Sequence, residues 1–327
     1  MKKNRRNLST LAILFTIATG AIHFINKSII ASASNKNLIN SSINHHFYQW
    51  RFGRIYYTKQ GSGKPLLLIH DLQAGASCHE WNKIESALAE NHEVYTIDLL
   101  GCGQSEKPQI TYTNFFYVQL LCDFVKQVIG KKADIVASGY SGSFTVMSCL
   151  NDADLFDKVL LINPPDLNLL NQVPRKNSRL QKLILETPVF GTMIYNILMS
   201  RQNIEHIFCE KLFYNPFRIN PVFLDTFYES AHSDGCKGKY MYASQIANYT
   251  NINIQNGLAK VNHSIYIIEG ANETSGKKIP DAYVDINPAI EVSYVDHSKH
   301  FPHLENPEEF LEQAEIYLYS RAYVFAK

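Results

Sequence analysis

Residues 65–72 read Pro-Leu-Leu-Leu-Ile-His-Asp-Leu, an apolar run that ends in two polar side chains. A continuous run of this kind is typical of a strand that is buried on both faces of a sheet. His70 and Asp71 then begin the loop that follows the strand. The stretch therefore predicts a central strand of a covered, mostly parallel sheet.

Strand-like and helix-like segments alternate on both sides of this run. Gly53 separates two short segments that predict antiparallel strands, at 48–52 and 54–59. Further along, apolar runs predict buried strands at 94–99, 133–137 and 158–163, and helical spacing predicts helices at 80–90, 117–129 and 143–150. This alternation predicts parallel strands joined by right-handed crossovers.

The pattern changes after the sixth predicted strand. From about 167 to 256 the sequence has helical segments and turns without clear buried strands. Strands then return at 264–269 and 290–295, and residues 307–319 predict a closing helix. The chain is thus expected to be an α/β protein with a mostly parallel, doubly wound sheet and a helical insert after the sixth strand.

Four ordered segments resemble motifs of the α/β-hydrolase superfamily. They are the oxyanion-loop strand at 65–72, the loop Asp-Leu-Leu-Gly-Cys-Gly-Gln-Ser-Glu-Lys-Pro at 98–108, the strand at 155–164, and the histidine loop His-Phe-Pro-His-Leu-Glu-Asn-Pro at 300–307. Together they cover roughly 47–318, in the order that the family keeps. The resemblance implies one hydrolase domain over 47–327, with the insert at 167–256 as a lid.

The same resemblance implies two members of a catalytic triad. His300 opens the histidine loop and would act as the base, although it could also be an ordinary loop histidine. Residues 270–273 read Gly-Ala-Asn-Glu, which aligns Glu273 with the carboxylate that orients this base. Glu269 lies on the preceding strand and is expected to point away from the site.

The nucleophile turn is read in two registers. Residues 137–143 read Ala-Ser-Gly-Tyr-Ser-Gly-Ser, and the first register treats Ser141 as the nucleophile of a G-x-S-x-G-like turn. The Gly142 N–H would then help to hold the oxyanion. The second register counts back from the following strand and puts Gly139 at the nucleophile position, without a side chain. In that register Ser141 lies inside the helix or caps it.

The oxyanion loop departs from the resemblance as well. The family usually has His-Gly, whereas this chain has His70-Asp71. The Leu72 N–H would still be available to an oxyanion, but a carboxylate nearby would oppose a developing negative charge unless it is protonated or points away. Both departures bear on whether ordinary ester hydrolysis is retained.

The N-terminus predicts export or anchoring. Residues 2–6 carry four positive charges, and an apolar run of about 17 residues follows at 8–24. We expect a signal-anchor within 1–31, an Asn- and Ser-rich linker at 32–46, and an extracytoplasmic globular domain. A cleaved signal peptide with a cleavage-like Ala-Ser-Ala at 31–33, and hence a secreted protein, is the alternative.

Composition restricts the partners. The 327 residues contain 31 Lys and Arg against 30 Asp and Glu, a balance that argues against a nucleic-acid binder. The six cysteines have neither a C-x-x-C motif nor tight spacing, so neither a zinc site nor a disulfide scaffold is predicted, and the even count permits an isolated bridge. The sequence predicts no cofactor and no metal site.

The resemblance leaves three functions open. The first is an esterase- or lipase-like serine hydrolase that cleaves a small-to-medium apolar ester through an acyl-enzyme on Ser141. The second is a binding protein that has kept the fold and lost catalysis. The third is altered chemistry in the same pocket without a serine nucleophile.

Overall fold

The computed structural model describes residues 2–39 and 45–319, with the side chains of residues 10–39 and 45–318. The described residues contain eight strands: β1 His45–Trp50, β2 Gly53–Gly61, β3 Lys64–Ile69, β4 His92–Ile97, β5 Ala133–Ser138, β6 Phe156–Ile162, β7 Ser264–Gly270 and β8 Glu291–Val295. They form one sheet in the order β1-β2-β4-β3-β5-β6-β7-β8. Strand β2 pairs antiparallel with β1 and β4, and the other pairs are parallel. The mostly parallel sheet is as predicted.

The apolar run that defines β3 is buried on both faces. Leu67 and Ile69 pack into a core on one side of the sheet, whereas Leu66 and Leu68 pack with Trp81 on the other side. Successive side chains of a strand point to opposite faces, so an uninterrupted apolar run serves both cores. The two cores fix the carboxyl end of β3, and with it the loop that carries Asp71.

One long helix precedes the sheet. Helix α1 spans Lys2–Ser34, and its stretch Thr10–Ser34 is long and apolar enough to cross a membrane by length and composition. The helix includes residues 32–34, which the sequence assigned to the linker. The side chains of the basic residues at 2–6 lie outside the described part of the chain.

The helices of the first half link the parallel strands. They are α2 Glu85–Leu88, α3 Asn114–Phe124 and α4 Ser141–Asn151. The prediction of a single helix at 80–90 was wrong, since a 3-10 turn at Cys78–Trp81 precedes the short α2. The Glu80 carboxylate accepts the Asp71 N–H at 3.0 Å and ties this segment to the loop after β3. The predicted helix at 117–129 is α3 followed by a π-helical turn at Val125–Ile129.

A helical insert joins β6 to β7. It contains α5 Leu167–Leu170, α6 Lys176–Glu186, α7 Phe190–Leu198, α8 Arg201–Ile207, α9 Pro221–Cys236, α10 Gly238–Ile246 and α11 Gln255–Leu258. Phenylalanines of the insert, among them Phe208 and Phe227, pack in one cluster with Phe301. The insert therefore contacts the residue that follows His300.

Three helices follow β7 among the residues up to 319 that the structure describes. They are α12 Lys278–Ile286, which the sequence reading missed, α13 Pro302–Glu305 and α14 Pro307–Tyr319. Phe310 and Ala314 of α14 are buried in the same core as Leu66 and Leu68 of β3. The histidine loop is thus held between β8 and a helix that packs on the sheet.

Candidate active site

The turn between β5 and α4 has Gly139 at its apex. Gly139 has φ +51°, a left-handed conformation that glycine adopts without strain, and its N–H donates to the Ile162 carbonyl at 2.9 Å. A Cβ built on Gly139 would overlap the carboxyl group of Asp71. The geometry of the turn therefore corresponds to the second register, in which the apex position carries no side chain.

The Asp71 carboxylate fills the space in front of Gly139. Its Oδ1 accepts the backbone N–H of Tyr140 at 2.7 Å, and its Oδ2 accepts Nε2 of Gln73 at 2.6 Å. His300 Nε2 lies 2.9 Å from the same Oδ2. Sequence reasoning treated Asp71 only as a disturbance of the oxyanion loop, whereas the fold turns its side chain into the site.

His300 lies between two carboxylates. Its Nε2 faces Asp71, and its Nδ1 lies 3.6 Å from Oε1 of Glu273. The structure thus brings together His300 and Glu273, the two residues that the resemblance implied for base and orienting acid. Together with Asp71 they form a row of three interacting side chains, Asp71, His300 and Glu273, which we call the row.

A single asparagine after β6 holds the histidine loop. Asn163 Nδ2 donates to the carbonyls of Lys299 at 3.0 Å and His300 at 2.8 Å, and its Oδ1 accepts the Gly270 N–H at 3.0 Å. Asn163 has φ +42°, a strained value for a residue with a side chain. The sequence reading did not select Asn163, because these contacts join β6 to segments that lie more than 100 residues away.

The charges of the row stabilise one another. Burial by itself would lower the pKa of His300, but the hydrogen bonds and charges of Asp71 and Glu273 outweigh it and raise the pKa to about 10. Burial would raise the pKa of Asp71 and of Glu273, yet the contact with His300 holds both below their ordinary values. At neutral pH the row is therefore carboxylate, imidazolium, carboxylate.

Ser141 lies elsewhere. It is the first residue of α4, is fully buried, and donates its hydroxyl to the His70 carbonyl at 2.5 Å. The Gly142 N–H donates to the Gly139 carbonyl at 3.1 Å, as in a helical turn. Both residues differ from the first register, in which they would face the substrate as nucleophile and oxyanion donor. The reason is that the chain enters α4 two residues earlier than that register requires.

The residue that follows the apex of the turn also differs from the one that the first register predicted as an oxyanion donor. Tyr140, not Gly142, is the residue after the apex, and its N–H is the one that points to the Asp71 carboxylate. Leu72 is fully buried, and its carbonyl accepts Nε2 of Gln245 from α10 at 2.6 Å. Helix α10 of the insert thereby fixes the loop that carries Asp71.

A cavity of about 360 Å³ lies in front of the row. Asp71, Gly139, Glu273 and His300 line it, and Ser141 does not. Its remaining lining is largely apolar or weakly polar and includes Tyr140, Asn163, Pro164, Pro165, Leu169, Thr274, Ser275 and Ile279. The volume suits a small ligand with an apolar body.

Glu269 also lines this cavity, contrary to the expectation that it points away. Only 2% of the residue is exposed, and its Oε2 has no hydrogen-bond partner among the described residues. Burial, together with the charge of Glu273, raises the pKa of Glu269 to about 8. At neutral pH the cavity therefore contains a protonated carboxyl group beside the charged row.

A second cavity, of about 290 Å³, lies on the other side of Gln73. Its lining comes mainly from the insert and includes Leu198, Met199, Ile204 and Phe208. Gln73 lines this cavity and also donates to Asp71, so it connects an apolar cavity of the insert with the charged row.

Residues 2–39 and 45–319 contain neither a cluster of metal-binding side chains nor a disulfide bridge. No group of three or more His, Cys, Asp or Glu side chains there could hold a metal ion. All six cysteines are free thiols.

Comparison with known proteins adds the family. The model of the Alpha/beta hydrolase family matches residues 66–313, which include most of β3, all of the other parallel strands of the sheet and the whole row. The chain belongs to the α/β-hydrolase family. The predicted superfamily and its α/β fold are thereby confirmed.

Two relatives and one solved structure illustrate this membership. A 2-hydroxy-6-oxo-6-(2'-aminophenyl)hexa-2,4-dienoic acid hydrolase of Metapseudomonas resinovorans is 25% identical over 280 residues, 81% of this chain and 88% of that protein. A soluble epoxide hydrolase of Corynebacterium sp. (strain C12) is 27% identical over 125 residues, 38% of this chain and 43% of that protein. The crystal structure of CarC, a serine hydrolase involved in carbazole degradation, superposes with a TM-score of 0.69 at 20% identity and covers 85% of this chain and 99% of that one. Its similarity shows the shared fold.

Proposed function

We propose that this α/β-hydrolase uses Asp71 as its covalent nucleophile, with His300 as the acid and base and Glu273 as the group that orients His300. The observation that carries the proposal is the position of the Asp71 carboxylate. It fills the space of the missing Gly139 side chain and contacts both His300 Nε2 and the Tyr140 N–H. A carboxylate can form covalent intermediates without first losing a proton.

The first step is attack by an Asp71 oxygen on an electrophilic saturated carbon. A C–O bond forms between Asp71 and the substrate, and the bond from that carbon to its leaving oxygen breaks. The leaving oxygen takes the proton that His300 carries at neutral pH. The products are an ester of Asp71, a hydroxyl group on the substrate, and a neutral imidazole.

The second step depends on the loss of the Asp71 charge in the first step. The Asp71 charge helps to raise the pKa of His300, so the pKa falls once Asp71 is an ester. Neutral His300 then accepts a proton from water, and the hydroxide attacks Cγ of Asp71. The Tyr140 N–H that holds Oδ1 is placed to stabilise the oxyanion. The hydroxyl group that came from water then gives its proton to the departing alkoxide oxygen, so the alcohol leaves, Asp71 is again a carboxylate, and His300 keeps its proton as an imidazolium.

This cycle selects a substrate whose leaving oxygen needs a proton and stays attached to the carbon skeleton. A small apolar epoxide meets both conditions, and the product is a diol. The earlier expectation of ester cleavage through Ser141 fits less well, because the Ser141 hydroxyl is buried and donates to His70. The relative named as a soluble epoxide hydrolase supports the class of reaction.

The apolar helix α1 supports a location at a membrane. We propose that helix α1 acts as an uncleaved signal-anchor and that the domain faces the extracytoplasmic side, as the basic residues at the start of this helix favour. An apolar substrate that partitions into lipid would be concentrated there.

One observation favours a second candidate, a binding protein without catalysis. Both oxygens of Asp71 accept hydrogen bonds, and Gln73 adds a further bond to the oxygen that faces His300. A carboxylate held in this way is a weaker nucleophile. The cavity would then serve as a receptor for a small apolar ligand.

A single-turnover experiment in heavy-oxygen water tests the proposal. Excess protein is mixed with styrene oxide, and the peptide that contains Asp71 is analysed by mass spectrometry. Because water attacks Cγ of Asp71, we expect heavy oxygen in the Asp71 carboxylate and none in the first diol formed. Asp71→Asn should form no diol, whereas Ser141→Ala should behave as the wild type. Diol that carries the heavy oxygen, with an unlabelled peptide, would exclude a covalent Asp71 intermediate.

A further inference from the structure

The insert carries an exposed apolar surface on two consecutive helices. On α6 the exposed apolar side chains are Leu180, Leu183 and Ile184, and on α7 they are Phe190, Met193, Ile194 and Ile197. The spacings i, i+3, i+4 and i, i+3, i+4, i+7 put each set on one side of its helix. We call these seven residues the apolar face of the insert.

The apolar face continues into helix α1. The ring of Phe15 on α1 lies 5.9 Å from the ring of Phe190, centroid to centroid. Phe15 belongs to the apolar run at 8–24, whose described side chains are largely exposed. A side chain that contacts Phe15 shares its surroundings, so a membrane around α1 would also reach the start of α7.

Two hydrogen bonds fix this arrangement. Asn26 on α1 is buried, its Nδ2 donates to the Val189 carbonyl at 3.0 Å, and its Oδ1 accepts Nδ2 of Asn196 at 2.9 Å. Asn26 lies just after the apolar run, at the end that the predicted orientation puts at the outer surface of the membrane. Helix α7 is therefore attached to α1 at the level where the membrane would end.

The charge around the apolar face fits a lipid surface. Residues 173–198 contain four basic side chains, Arg175, Lys176, Arg179 and Lys182, and one acidic side chain, Glu186. Lys182 pairs with Glu186 at 2.6 Å, which leaves the exposed Arg175, Lys176 and Arg179 for anionic headgroups. Helices that lie in the membrane interface commonly combine an apolar side with lysine and arginine on the polar side. Large exposed apolar patches mark interaction sites, and a patch beside basic residues suits contact with a lipid surface.

From the contact with α1, the two apolar stripes and the surrounding basic residues, we infer that the apolar face of the insert is embedded in the outer leaflet of the membrane, an inference that rests on the proposal that α1 is a signal-anchor across that membrane. The occupant of this surface is the bilayer, with anionic headgroups near the basic residues. The globular domain would then contact the membrane directly through α6 and α7, in addition to its attachment through α1.

Quenching by brominated lipid tests this inference in the full-length protein. The chain is reconstituted into vesicles of phosphatidylcholine and phosphatidylglycerol, with or without bromine on the acyl chains. Tryptophan is introduced at Ile194→Trp or Leu183→Trp, and the emission of the wild type, which contains Trp50 and Trp81, is subtracted. Phe15→Trp reports on α1, and Ile316→Trp is the matched control, since Ile316 is also apolar and is more exposed than Ile194 and Leu183 but lies on α14.

We expect brominated lipid to quench the added emission at 194 and 183 about as strongly as at Phe15→Trp and several times more strongly than at Ile316→Trp. Quenching at Phe15→Trp alone would overturn the inference, and a second copy of the chain covering the face would give that result. Absence of quenching at Phe15→Trp would overturn it as well, because α1 would then not be in the membrane. Circular dichroism of each variant in detergent verifies that it folds.

Discussion

The Asp71 carboxyl group occupies the space that a side chain on Gly139 would need. Gly139 stands at the apex of the turn after β5, and Asp71 follows β3, yet a Cβ on Gly139 would overlap the Asp71 carboxyl carbon. The two departures that the sequence shows, at the nucleophile turn and at the oxyanion loop, are therefore complementary. The carboxylate at the end of one strand occupies the space next to the apex residue at the end of the neighbouring strand.

This relationship predicts that a serine site can be rebuilt only by changing both residues. In Asp71→Gly/Gly139→Ser, the serine has room at the apex and its hydroxyl can reach His300, which then acts as its base. We expect the double variant to be labelled by a fluorophosphonate probe and to hydrolyse short apolar esters. The measurement is probe incorporation by intact-mass spectrometry.

The single variants provide the control for this experiment. Gly139→Ser alone retains the overlap with Asp71, and Asp71→Gly alone has no nucleophile, so neither should be labelled. Labelling of Asp71→Gly that depends on Ser141 would show instead that the first register is accessible in solution.

Ser141 should contribute to stability and not to turnover. Its buried hydroxyl donates to the His70 carbonyl, so Ser141→Ala leaves a buried acceptor with one partner fewer. We expect the free energy of unfolding to fall by about 1–3 kcal/mol, with unchanged turnover of an epoxide. Urea unfolding and initial rates measure the two effects. Loss of turnover in a variant that remains folded would return Ser141 to the mechanism.

His300 should remain protonated well above its ordinary pKa. Because its pKa in the folded state is about 10, the stabilisation from its ion pairs is complete below the unfolded value of 6.5 and is lost as pH rises through 10. In Asp71→Asn the pKa should fall, since one of the two carboxylates is gone. A titration of labelled histidine rings by NMR, with His300→Gln for assignment, measures both values. Equal values in the two proteins would contradict the proposed coupling.

Glu269 should make the protein less stable as pH rises. Its folded pKa of about 8 exceeds the ordinary 4.5, so the unfolded chain ionises first and stability falls between these two values. Glu269→Gln mimics the protonated form and should remove this loss, up to about 1.4 kcal/mol per pH unit. Urea unfolding of both proteins from pH 4.5 to 9 gives the difference. A difference that is independent of pH would show that Glu269 is ionised in the folded protein.

Asn163 should position His300 without contacting the reaction. Asn163→Ala removes the hydrogen bonds to the Lys299 and His300 carbonyls and to the Gly270 N–H. Because small displacements of a catalytic group are costly, we expect the maximal rate to fall roughly 10- to 100-fold while KM changes little. A fall in rate that is accompanied by a proportionate rise in KM would point to a role in binding.

Much of the fold could be read along the chain. The strands were predicted because uninterrupted apolar runs such as the one in β3 serve two cores at once, and the motif order predicted the position of His300 and Glu273. The helix at 80–90 was wrong because its periodicity is local, whereas the buried Glu80 carboxylate binds the Asp71 N–H from the preceding loop. The insert was predicted as helical, but not the pairing of α7 with α1.

The sequence by itself determined an α/β-hydrolase domain with an apolar N-terminal segment, and it reduced the nucleophile question to two registers. Those features depend on local composition and on spacing along the chain. Only the tertiary structure decided that Gly139 is the apex, that Ser141 is buried beneath the His70 carbonyl, and that Asp71 and Glu269 face the cavity. The direction of a side chain at a strand end depends on which neighbour leaves space for it, and here the space comes from a glycine 68 residues further along the chain.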